Sequence, residues 1–350
     1  MSKVCNLVHI DGDVIVYRAG FAAEVGYHRP VLFDCDMVDI LKVGDLFANK
    51  SQAKAWAKDN YSGYGEAVWD TFYDPAPEPV QNCLHSVKLI IGEIINALEL
   101  EFDDAVIHLS TPGLTFRHGI ATIRPYKGTR DRSHQPYHKQ SILDYLCDYY
   151  NVRWSNPGLE ADDQMGMMHG PGSCIATIDK DLDMIPGWHY NFVKKVMYHV
   201  DEEEAMRSFF TQMIVGDSSD NIQGCPGAGP LKAVALFDKQ YDFQHFWDLV
   251  VLAYIQAKPN KEKDDEQIKT EITETARLLW ILRSVGDEPP IPDRIKPIRL
   301  EDTAAVRETR DQLREEQLNA AGFGGRNVPG ADWGGVEGQE VQGKMGGHRT

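Results

Sequence analysis

The chain has 350 residues and a formal net charge of −17, because 53 Asp and Glu residues outnumber 36 Lys and Arg residues. A hydrophobic fraction of 42% and a charged fraction of 25% are typical of globular proteins, and they exclude a wholly disordered chain, a collagen and a disulfide-rich miniprotein. No apolar run approaches the roughly 18–20 residues of a membrane helix. The N-terminus has no signal-peptide pattern, and the six cysteines are scattered. We therefore expect a soluble protein of the cytoplasm (the host cytoplasm if a phage encodes it), with one large or two ordinary domains and no membrane partner.

Strands and helices alternate over the first two hundred residues. The apolar pattern predicts strands at 4–10, 105–109 and 174–178, and a further β-type run at 192–200. Helical spacing of apolar residues predicts helices at 14–24, 87–100, 141–150, 160–169 and 202–215. This order is typical of βαβ units, and it predicts an α/β fold with a mainly parallel sheet flanked by helices.

Other segments differ in composition from this alternating part. Residues 25–82 are mixed, and the Pro-rich stretch 75–79 predicts a rigid loop. Beyond about residue 205 the pattern is helical, and the charged stretch 258–271 is expected in a solvated loop or on a helix face. Residues 320–350 are rich in Gly and poor in large apolar residues, which predicts a disordered tail.

Acidic residues cluster where predicted strands end or helices begin. The clusters are Asp11 with Asp13, Glu160 with Asp162 and Asp163, Asp179 with Asp181, and Asp217 with Asp220. The carboxyl ends of parallel strands meet at one edge of a sheet, so these groups should converge there. Because like charges repel, the group needs cations, and carboxylate oxygens suit Mg²⁺ or Mn²⁺. Two ions about 3.5–4 Å apart would form a centre for phosphodiester hydrolysis. Any one cluster alone is more often a turn or a helix cap than a functional site, so the prediction depends on the ordered set of four.

A basic segment between residues 117 and 153 interrupts the acidic chain. Its cations are Arg117, Arg124, Lys127, Arg130, Arg132, Lys139 and Arg153, and its tyrosines are Tyr126, Tyr137, Tyr145 and Tyr149. Cations set among aromatic rings suit single-stranded nucleic acid, because phosphates are neutralised and bases can stack. The alternative is an ordinary solvated face.

Residues 224–232, GCPGAGPLK, form a glycine-rich segment. It is not a Walker A loop, because Pro230 stands where that motif requires Lys. We interpret it as a tight turn between two helices whose free N–H groups can meet phosphate, with Lys232 nearby. The alternative is a plain helix–helix turn.

The motifs IDGD, YKGTRD, LEADD, TIDKDLD and VGDSSDNIQGCPGAGPLKA occur in this order between residues 6 and 236. As a set they resemble the flap endonuclease/5′→3′ exonuclease superfamily, and most of all its bacteriophage 5′→3′ exonucleases. The resemblance implies a PIN-like nuclease core at 1–204, with a helical arch at about 124–150 through which a 5′ single strand passes. It also implies a helical DNA-binding region at 205–319 with a helix-hairpin-helix-like motif at 224–232.

The resemblance also implies roles for individual residues. It places Asp11, Glu160 and Asp162 at the first metal with Asp163 assisting, Asp179 and Asp181 between the metals, and Asp217 and Asp220 at the second metal. Lys127 and Arg130 would be catalytic cations that draw the scissile phosphate onto the metals. Nucleic-acid-binding residues would be Tyr17, Arg124, Tyr126, Arg132, Gly227, Gly229 and Lys232. The implied cofactors are two Mg²⁺ (or Mn²⁺) ions, with K⁺ at the glycine hairpin.

The sequence departs from the family pattern at Ser110. Family members usually carry Asp at this strand end, seven residues before the residue that matches Arg117, and Ser is a far weaker Mg²⁺ ligand. His108 on the same strand or Asp13 could assist there. The departure implies an altered first metal site, with reduced affinity or a preference for Mn²⁺.

The function implied is a metal-dependent 5′→3′ exonuclease or flap endonuclease in DNA replication, recombination or degradation. Its partner would be DNA with a free 5′ end, overhang or flap, and its substrates could include the RNA of RNA–DNA hybrids. One alternative is a catalytically impaired DNA-junction-binding protein, which the retained carboxylates oppose. Another is a PIN-type ribonuclease, which the glycine hairpin and the basic segment oppose.

Overall fold

The structure, a computed structural model, describes residues 4–130, 135–237, 242–260, 262–293 and 295. The strands of this part are β1 (Leu7–Asp11), β2 (Glu24–Phe33), β3 (Ile40–Val43), β4 (Val68–Pro77), β5 (Ala105–Leu109), β6 (Val152–Trp154), β7 (Ser173–Ala176), β8 (Gly187–Asn191), β9 (Val196–Val200), β10 (Gly216–Asp217) and β11 (Ile222–Gln223). The α-helices are α1 (Gly12–Ala22), α2 (Lys50–Tyr61), α3 (Val80–Ala97), α4 (Phe116–Ile120), α5 (Lys139–Tyr149), α6 (Ala161–Met168), α7 (Glu202–Val215), α8 (Pro230–Leu236), α9 (Phe243–Gln256) and α10 (Asp265–Leu279). None of the described helices is long and apolar enough to cross a membrane.

A six-stranded sheet in the order β6-β5-β1-β7-β8-β9 organises the fold. β1 pairs in parallel with β5 and β7, and β6 and β8 continue the parallel pairing on the two sides. Only the pairing of β9 with β8 is antiparallel within this sheet. The strand order changes direction at β1, so a crevice is expected beside the carboxyl ends of β1, β5 and β7. The predicted α/β fold with a mainly parallel sheet flanked by helices is confirmed.

Acidic side chains begin several of the helices. The Asp11 carboxylate accepts a hydrogen bond from the Val14 N–H at the start of α1, and Asp201 caps α7 in the same way. Glu160 and Asp163 form a reciprocal capping box at the start of α6. Such side chains satisfy N–H groups that have no partner within the helix. Because these helices follow strands, the acidic capping residues also place carboxylates where the strands end.

The two faces of the sheet are packed differently. Val8 and Ile10 of β1 belong to the hydrophobic cluster that α1, α3 and α5 form on one face. Alternation along the strand turns His9 to the other face, where Ile175 of β7 packs against Met165 of α6. This second face carries α6 with its acidic first turn.

Helices α7, α9 and α10 form a second large hydrophobic cluster. Phe210 stacks on Phe246 with ring centroids 4.9 Å apart, and Trp247 meets Phe210 edge-on at 5.1 Å. The predicted boundary between residues 204 and 205 falls within α7. The described residues belong to one compact unit, so the division into two domains stays a prediction.

Residues 24–77 contain a separate antiparallel sheet, in the order β3-β2-β4, that the sequence pattern did not predict. The prediction of a rigid loop at 75–79 is wrong for its first part, because Pro75 and Pro77 lie in β4 and are paired with β2. β4 is an edge strand, and an edge tolerates residues that donate no hydrogen bond.

Several other boundaries differ from the prediction. Helix α3 begins seven residues earlier than expected, and the short strand β6 was not predicted. The β-type run predicted at 192–200 contains the turn at 192–195 and β9, and it misses β8 altogether. The small β10–β11 ribbon interrupts the region expected to be all helical.

Only part of the segment 124–150 is free of the core and could form the expected arch. Its second half is helix α5, whose Ile142 and Leu146 are buried in the core against α1 and α3. Residues 131–134 and the Gly-rich tail at 320–350 lie outside the described residues. The arch prediction therefore applies at most to the segment before α5.

Candidate metal centre and nucleic-acid interface

The carboxyl edge of the central sheet brings together the acidic residues that the sequence singles out. Asp11 ends β1, Asp179 follows β7, and Glu160 begins α6 beside them. The β10–β11 ribbon and its connecting loop add Asp217 and Asp220, and the Tyr126 hydroxyl contacts both Asp220 and Glu160. The four clusters thus lie at one end of the molecule, each delivered by a different strand end or helix start.

Asp11 is buried at the centre of this group. Its carboxylate accepts hydrogen bonds from the Val14 N–H (3.0 Å) and the Thr177 hydroxyl (2.7 Å). Burial nevertheless raises the pKa of Asp11 to about 7, and the negative charges of Asp13 and Asp179 act in the same direction. The two hydrogen bonds to Asp11 therefore do not offset the cost of burying its negative charge beside other carboxylates.

Two further carboxylates are destabilised by their surroundings. Burial, followed by the charges of neighbouring carboxylates, raises the pKa of Asp162 well above its ordinary value. Among the described residues, no group donates a hydrogen bond to the Asp162 carboxylate. Burial also raises the pKa of Asp181 to about 7, although Gln212 donates a hydrogen bond to it. Both side chains remain available to a cation.

Asp163 has a different environment from Asp162. Both of its oxygens accept from the Arg117 guanidinium, at 2.6 and 2.8 Å. The backbone N–H groups of Glu160 (3.1 Å) and Leu282 (3.2 Å) complete four hydrogen bonds. The lone pairs of a carboxylate are then occupied, which corrects the expectation that Asp163 assists at a metal. It also removes Arg117 from the basic surface, because this side chain is buried.

Tyr126 joins two of the acidic clusters. Its hydroxyl lies 2.6 Å from the Asp220 carboxylate and 3.1 Å from that of Glu160. The residue is 4% exposed, and its ring packs in the cluster formed by the C-terminal helices. The expected stacking of Tyr126 on a base is therefore wrong for this structure, because no face of the ring is open.

The two expected catalytic cations lie at the acidic centre. The Lys127 ammonium is 2.6 Å from Glu160 and 3.8 Å from the Asp220 carboxylate. Arg130 pairs with Asp220, and its side chain is half exposed. The backbone of Lys127 has φ +55°, a left-handed conformation that costs roughly 1–2 kcal/mol for a residue with a side chain. A hydrogen bond from its N–H to the Asp220 carbonyl (2.9 Å) helps to hold this turn.

The loop that carries Asp217 and Asp220 is fixed at its base by two glycines. Gly216 has φ +74°, and a Cβ there would lie 2.4 Å from the backbone nitrogen of Gly224. Asp217 accepts hydrogen bonds from the N–H and the hydroxyl of Ser219, at 2.8 and 2.5 Å. The loop can close this tightly only because both positions lack a side chain.

Divalent metal ions fit the donor chemistry of this centre, since Mg²⁺ and Mn²⁺ prefer carboxylate oxygens. As the side chains stand, no three His, Cys, Asp or Glu residues in the described part already form a group able to hold an ion. The cationic ends of Lys127 and Arg130 lie instead on Glu160 and Asp220. These cations neutralise the carboxylates, so a metal ion could bind at Glu160 and Asp220 only after the ion pairs open.

The end of β5 shows how the sequence departure at Ser110 is accommodated. The Ser110 hydroxyl accepts from the Ala161 N–H at 2.9 Å, so it supports the start of α6. His108 is fully buried, and its Nε2 lies 3.0 Å from Nδ1 of His9. His108 therefore does not reach the carboxylates as an assisting ligand. Asp13, the other expected helper, lies at Ser110.

The other expected nucleic-acid contacts lie on the surface in part. Arg124 and Lys232 are exposed, and Gly227 has φ +70° in the turn before α8. Gly229 caps α8 with an extended backbone. The turn follows β11 rather than a helix, so it joins a ribbon to a helix. Arg132 lies outside the described residues.

Tyr17 is half-buried and engaged within the protein. Its hydroxyl donates to Gln135 at 2.7 Å, and the Lys139 ammonium lies 5.0 Å from the centre of its ring. A stacking role for Tyr17 stays a prediction.

Two residues of the centre were missed by sequence reasoning. Thr177 bonds to Asp11, and Gln212 of α7 bonds to Asp181. Thr177 stands directly beside the TIDKDLD acids, so its place in the motif was a usable signal. Gln212 lies on a helix face with no local signal, because its role depends on how α7 packs.

Comparison with solved structures gives matches to bacteriophage T5 proteins. T5 5′-exonuclease with bound zinc matches with a TM-score of 0.42 and 16% identity, over 78% of this chain and 86% of that one. A mutant of T5 5′-exonuclease matches with a TM-score of 0.43 and 13% identity, over 91% and 99%. A T5 flap endonuclease in a pseudo-enzyme–product complex with DNA and metal ions matches with a TM-score of 0.40 and 13% identity, over the same shares.

The chain is thus similar to solved structures of T5 5′-exonuclease and T5 flap endonuclease. No protein-family model matches the sequence, and no curated protein matches it. Identities of 13–16% and TM-scores near 0.4 leave the function to be argued from the chain's own residues.

Proposed function

We propose that the protein is a divalent-metal-dependent nuclease that hydrolyses phosphodiester bonds from DNA 5′ ends, as a 5′→3′ exonuclease or flap endonuclease. The observation that supports it most is the convergence of buried, poorly compensated carboxylates with two cationic side chains at one sheet edge. Asp11, Asp162 and Asp181 hold negative charge at a cost, while Lys127 and Arg130 lie against the same group. A phosphodiester substrate with metal ions would satisfy both sets of charges.

The proposed metal ligands divide between two ions. Asp11, Glu160 and Asp162 would hold the first, Asp217 and Asp220 the second, and Asp179 and Asp181 would lie between them. The ions, when bound, supply hydroxide at neutral pH and stabilise the leaving 3′ oxygen. Asp163 is left out of this set because Arg117 already occupies it.

The protein's own residues would position the substrate. Once Lys127 and Arg130 leave Glu160 and Asp220, they are free to bind the phosphoryl oxygens and stabilise the charge that develops there. Tyr126 would hold Glu160 and Asp220 in place during this exchange. The exposed cations Arg124 and Lys232, with the turn at Gly227 and Gly229, would bind the DNA backbone on either side.

The experiment is cleavage of a flap or 5′-overhang duplex labelled at the 5′ end, in Mg²⁺, in Mn²⁺ and in EDTA. The expected result is metal-dependent release of 5′-phosphorylated products. Asp179→Asn should abolish cleavage and preserve or tighten DNA binding, because one repulsive charge is removed. Asp144→Asn, which changes an exposed acid on α5, is the matched control and should cleave normally.

Two outcomes would contradict the proposal. Cleavage that persists in EDTA, or full activity of Asp179→Asn, would remove the metal assignment. Tight DNA binding without cleavage in either metal would favour the junction-binding alternative. Blunt, flapped and RNA–DNA hybrid substrates in the same assay would give the substrate preference.

A further inference from the structure

The Asp13 carboxylate occupies the end of β5 although it belongs to α1. Both of its oxygens accept from the Ser110 N–H, at 3.2 and 3.3 Å, across 97 positions of sequence. The close approach depends on Gly12, where a Cβ would lie 2.6 Å from the carbonyl oxygen of His108. The start of α1 is thus built to bring Asp13 to this strand end.

The strand end itself contributes no acid to the centre. The Ser110 hydroxyl is directed to the Ala161 N–H, and His108 is held against His9 beneath the sheet. Asp13 is therefore the carboxylate that lies at this position. It lies close to the start of α6, because Ser110 contacts both Asp13 and the Ala161 N–H that follows Glu160.

Asp13 also lacks a fixed counter-ion. Within the described residues, no Lys, Arg or His side chain lies within 4 Å of its carboxylate. Lys139 acts on it only from a distance, because the Lys139 ammonium is bonded to Gln135 and Tyr17. The contrast with Asp163 is informative: that acid is neutralised by Arg117 and has a structural role.

We propose that Asp13 is a ligand of the first metal ion, together with Asp11, Glu160 and Asp162. The inference rests on the proposed function, because it needs a divalent ion at this edge. Asp13 would supply from α1 the carboxylate that Ser110 does not supply from β5. All of its hydrogen bonds come from Ser110, through the N–H and the hydroxyl, so lone pairs remain for a metal ion, in contrast to Asp163 with its four donors.

The test is Mn²⁺ binding by isothermal titration calorimetry on the full chain. The proteins compared are the wild type, Asp13→Asn, Asp13→Asn with Ser110→Asp, Asp179→Asn and Asp183→Asn. Asparagine keeps the shape of the side chain and its acceptor for the Ser110 N–H. Asp183 is the matched control, since it lies two residues from Asp181 but bonds to Tyr198 (2.7 Å). Its substitution shows how much affinity is lost by removing one nearby charge alone.

Asp13→Asn is expected to weaken one Mn²⁺-binding step by about tenfold or more, and Asp183→Asn by less than about threefold. Adding Ser110→Asp should restore most of the affinity, because it returns a carboxylate to the same strand end. In EDTA, Asp13→Asn should melt at or above the wild-type temperature, since a buried like charge is removed. This melting readout shows that lost affinity does not come from lost folding.

An Asp13→Asn isotherm that matches the Asp183→Asn isotherm would overturn the inference. If the wild type binds Mn²⁺ and Asp179→Asn does not, that result would leave the proposed function standing. If the wild type itself binds no divalent ion, the proposed function and the role of Asp13 both fail.

Discussion

The Tyr126 hydroxyl has one proton and lies beside two carboxylates, those of Asp220 and Glu160. A phenol can donate only one hydrogen bond at a time, and the shorter contact goes to Asp220 (2.6 Å) rather than Glu160 (3.1 Å). Glu160 then depends on the Lys127 ammonium at 2.6 Å. The burial of Tyr126 and its acidic neighbours raise the pKa of its hydroxyl, so the proton stays on the phenol. At the scale of single residues, Tyr126 and Lys127 thus divide the two carboxylates between them.

Tyr126→Phe should therefore lower the free energy of unfolding in EDTA by about 1–3 kcal/mol, because the partly buried Asp220 carboxylate loses its donor. Urea denaturation measures the loss. Tyr17→Phe is the matched control, since its half-buried hydroxyl bonds to an amide rather than an acid. Equal losses in the two variants would show that the Tyr126 hydroxyl has no special role at the acids.

The neighbours Asp162 and Asp163 show what the sequence can and cannot predict at this scale. Both are acids in the first turn of one helix, and the LEADD motif predicted that this turn belongs to the site. One residue of helical rotation turns Asp162 toward the other acids and Asp163 toward Arg117. The identity of the partner depends on where α4 packs, and no local pattern contains that information.

Arg117 is the main connection between elements around the centre. It pairs with Asp163 of α6 and donates to the carbonyls of Leu278 (2.9 Å) and Trp280 (2.7 Å) at the end of α10. The Arg117 guanidinium thereby connects α4, α6 and α10, three helices from distant parts of the chain. This network holds the first turn of α6, and with it Glu160 and Asp162, in position.

Arg117→Met should destabilise the protein by about 3–5 kcal/mol, because it leaves the Asp163 charge buried and unpaired. Adding Asp163→Asn should recover part of the loss, since the amide carries no charge. A double-mutant cycle by urea denaturation measures this coupling. If the double variant is as unstable as the sum of the two single variants, Asp163 does not depend on Arg117 in the way described.

Elements with strong local patterns were predicted closely, whereas those made by pairing alone were not. Strand β5 and helix α7 have the predicted bounds, because each has a clear apolar period and defined ends. The β3-β2-β4 sheet was missed, since β2 and β4 stabilise each other over ten residues without an alternating pattern. Pro75 and Pro77 led to the incorrect loop prediction. A strand accepts Pro when it lies at the edge of a sheet, and the local sequence does not show that β4 is such a strand.

Across the whole molecule, two sets of buried groups make the stability depend on pH in opposite directions. Burial raises the pKa values of Asp11 and Asp181 to about 7 in the folded protein, so they hold protons that the unfolded chain has lost. This contribution weakens the fold as pH rises from about 4 to about 7. Burial lowers the pKa of His9 to about 4 and that of His108 to about 3, so their contribution strengthens the fold between about pH 4 and 6.5.

Adding metal ions should distinguish the contribution of the two carboxylates to the pH dependence of stability from that of the two histidines. Ligands must be deprotonated to bind a cation, so stabilisation by Mn²⁺ should grow from pH 5 to about pH 7 and level off above it. The measurement is the difference in melting temperature with Mn²⁺ and with EDTA at each pH. The melting temperatures in EDTA are the control, because the histidines contribute equally with and without Mn²⁺ and cancel in the difference. A difference that stays constant from pH 5 to pH 8 would show that Asp11 and Asp181 are not metal ligands.

The central claim is that divalent ions bind among the carboxylates at the edge of the sheet. Anomalous diffraction from crystals grown with Mn²⁺ tests it most directly, because it locates the ions without relying on activity. The account expects two peaks about 3.5–4 Å apart, one beside Asp11 and Asp162 and the other beside Asp217 and Asp220. It also expects the Lys127 ammonium to have moved off Glu160. A map with no Mn²⁺ peak among these carboxylates, or with Lys127 still bonded to Glu160 beside a bound ion, would contradict the account.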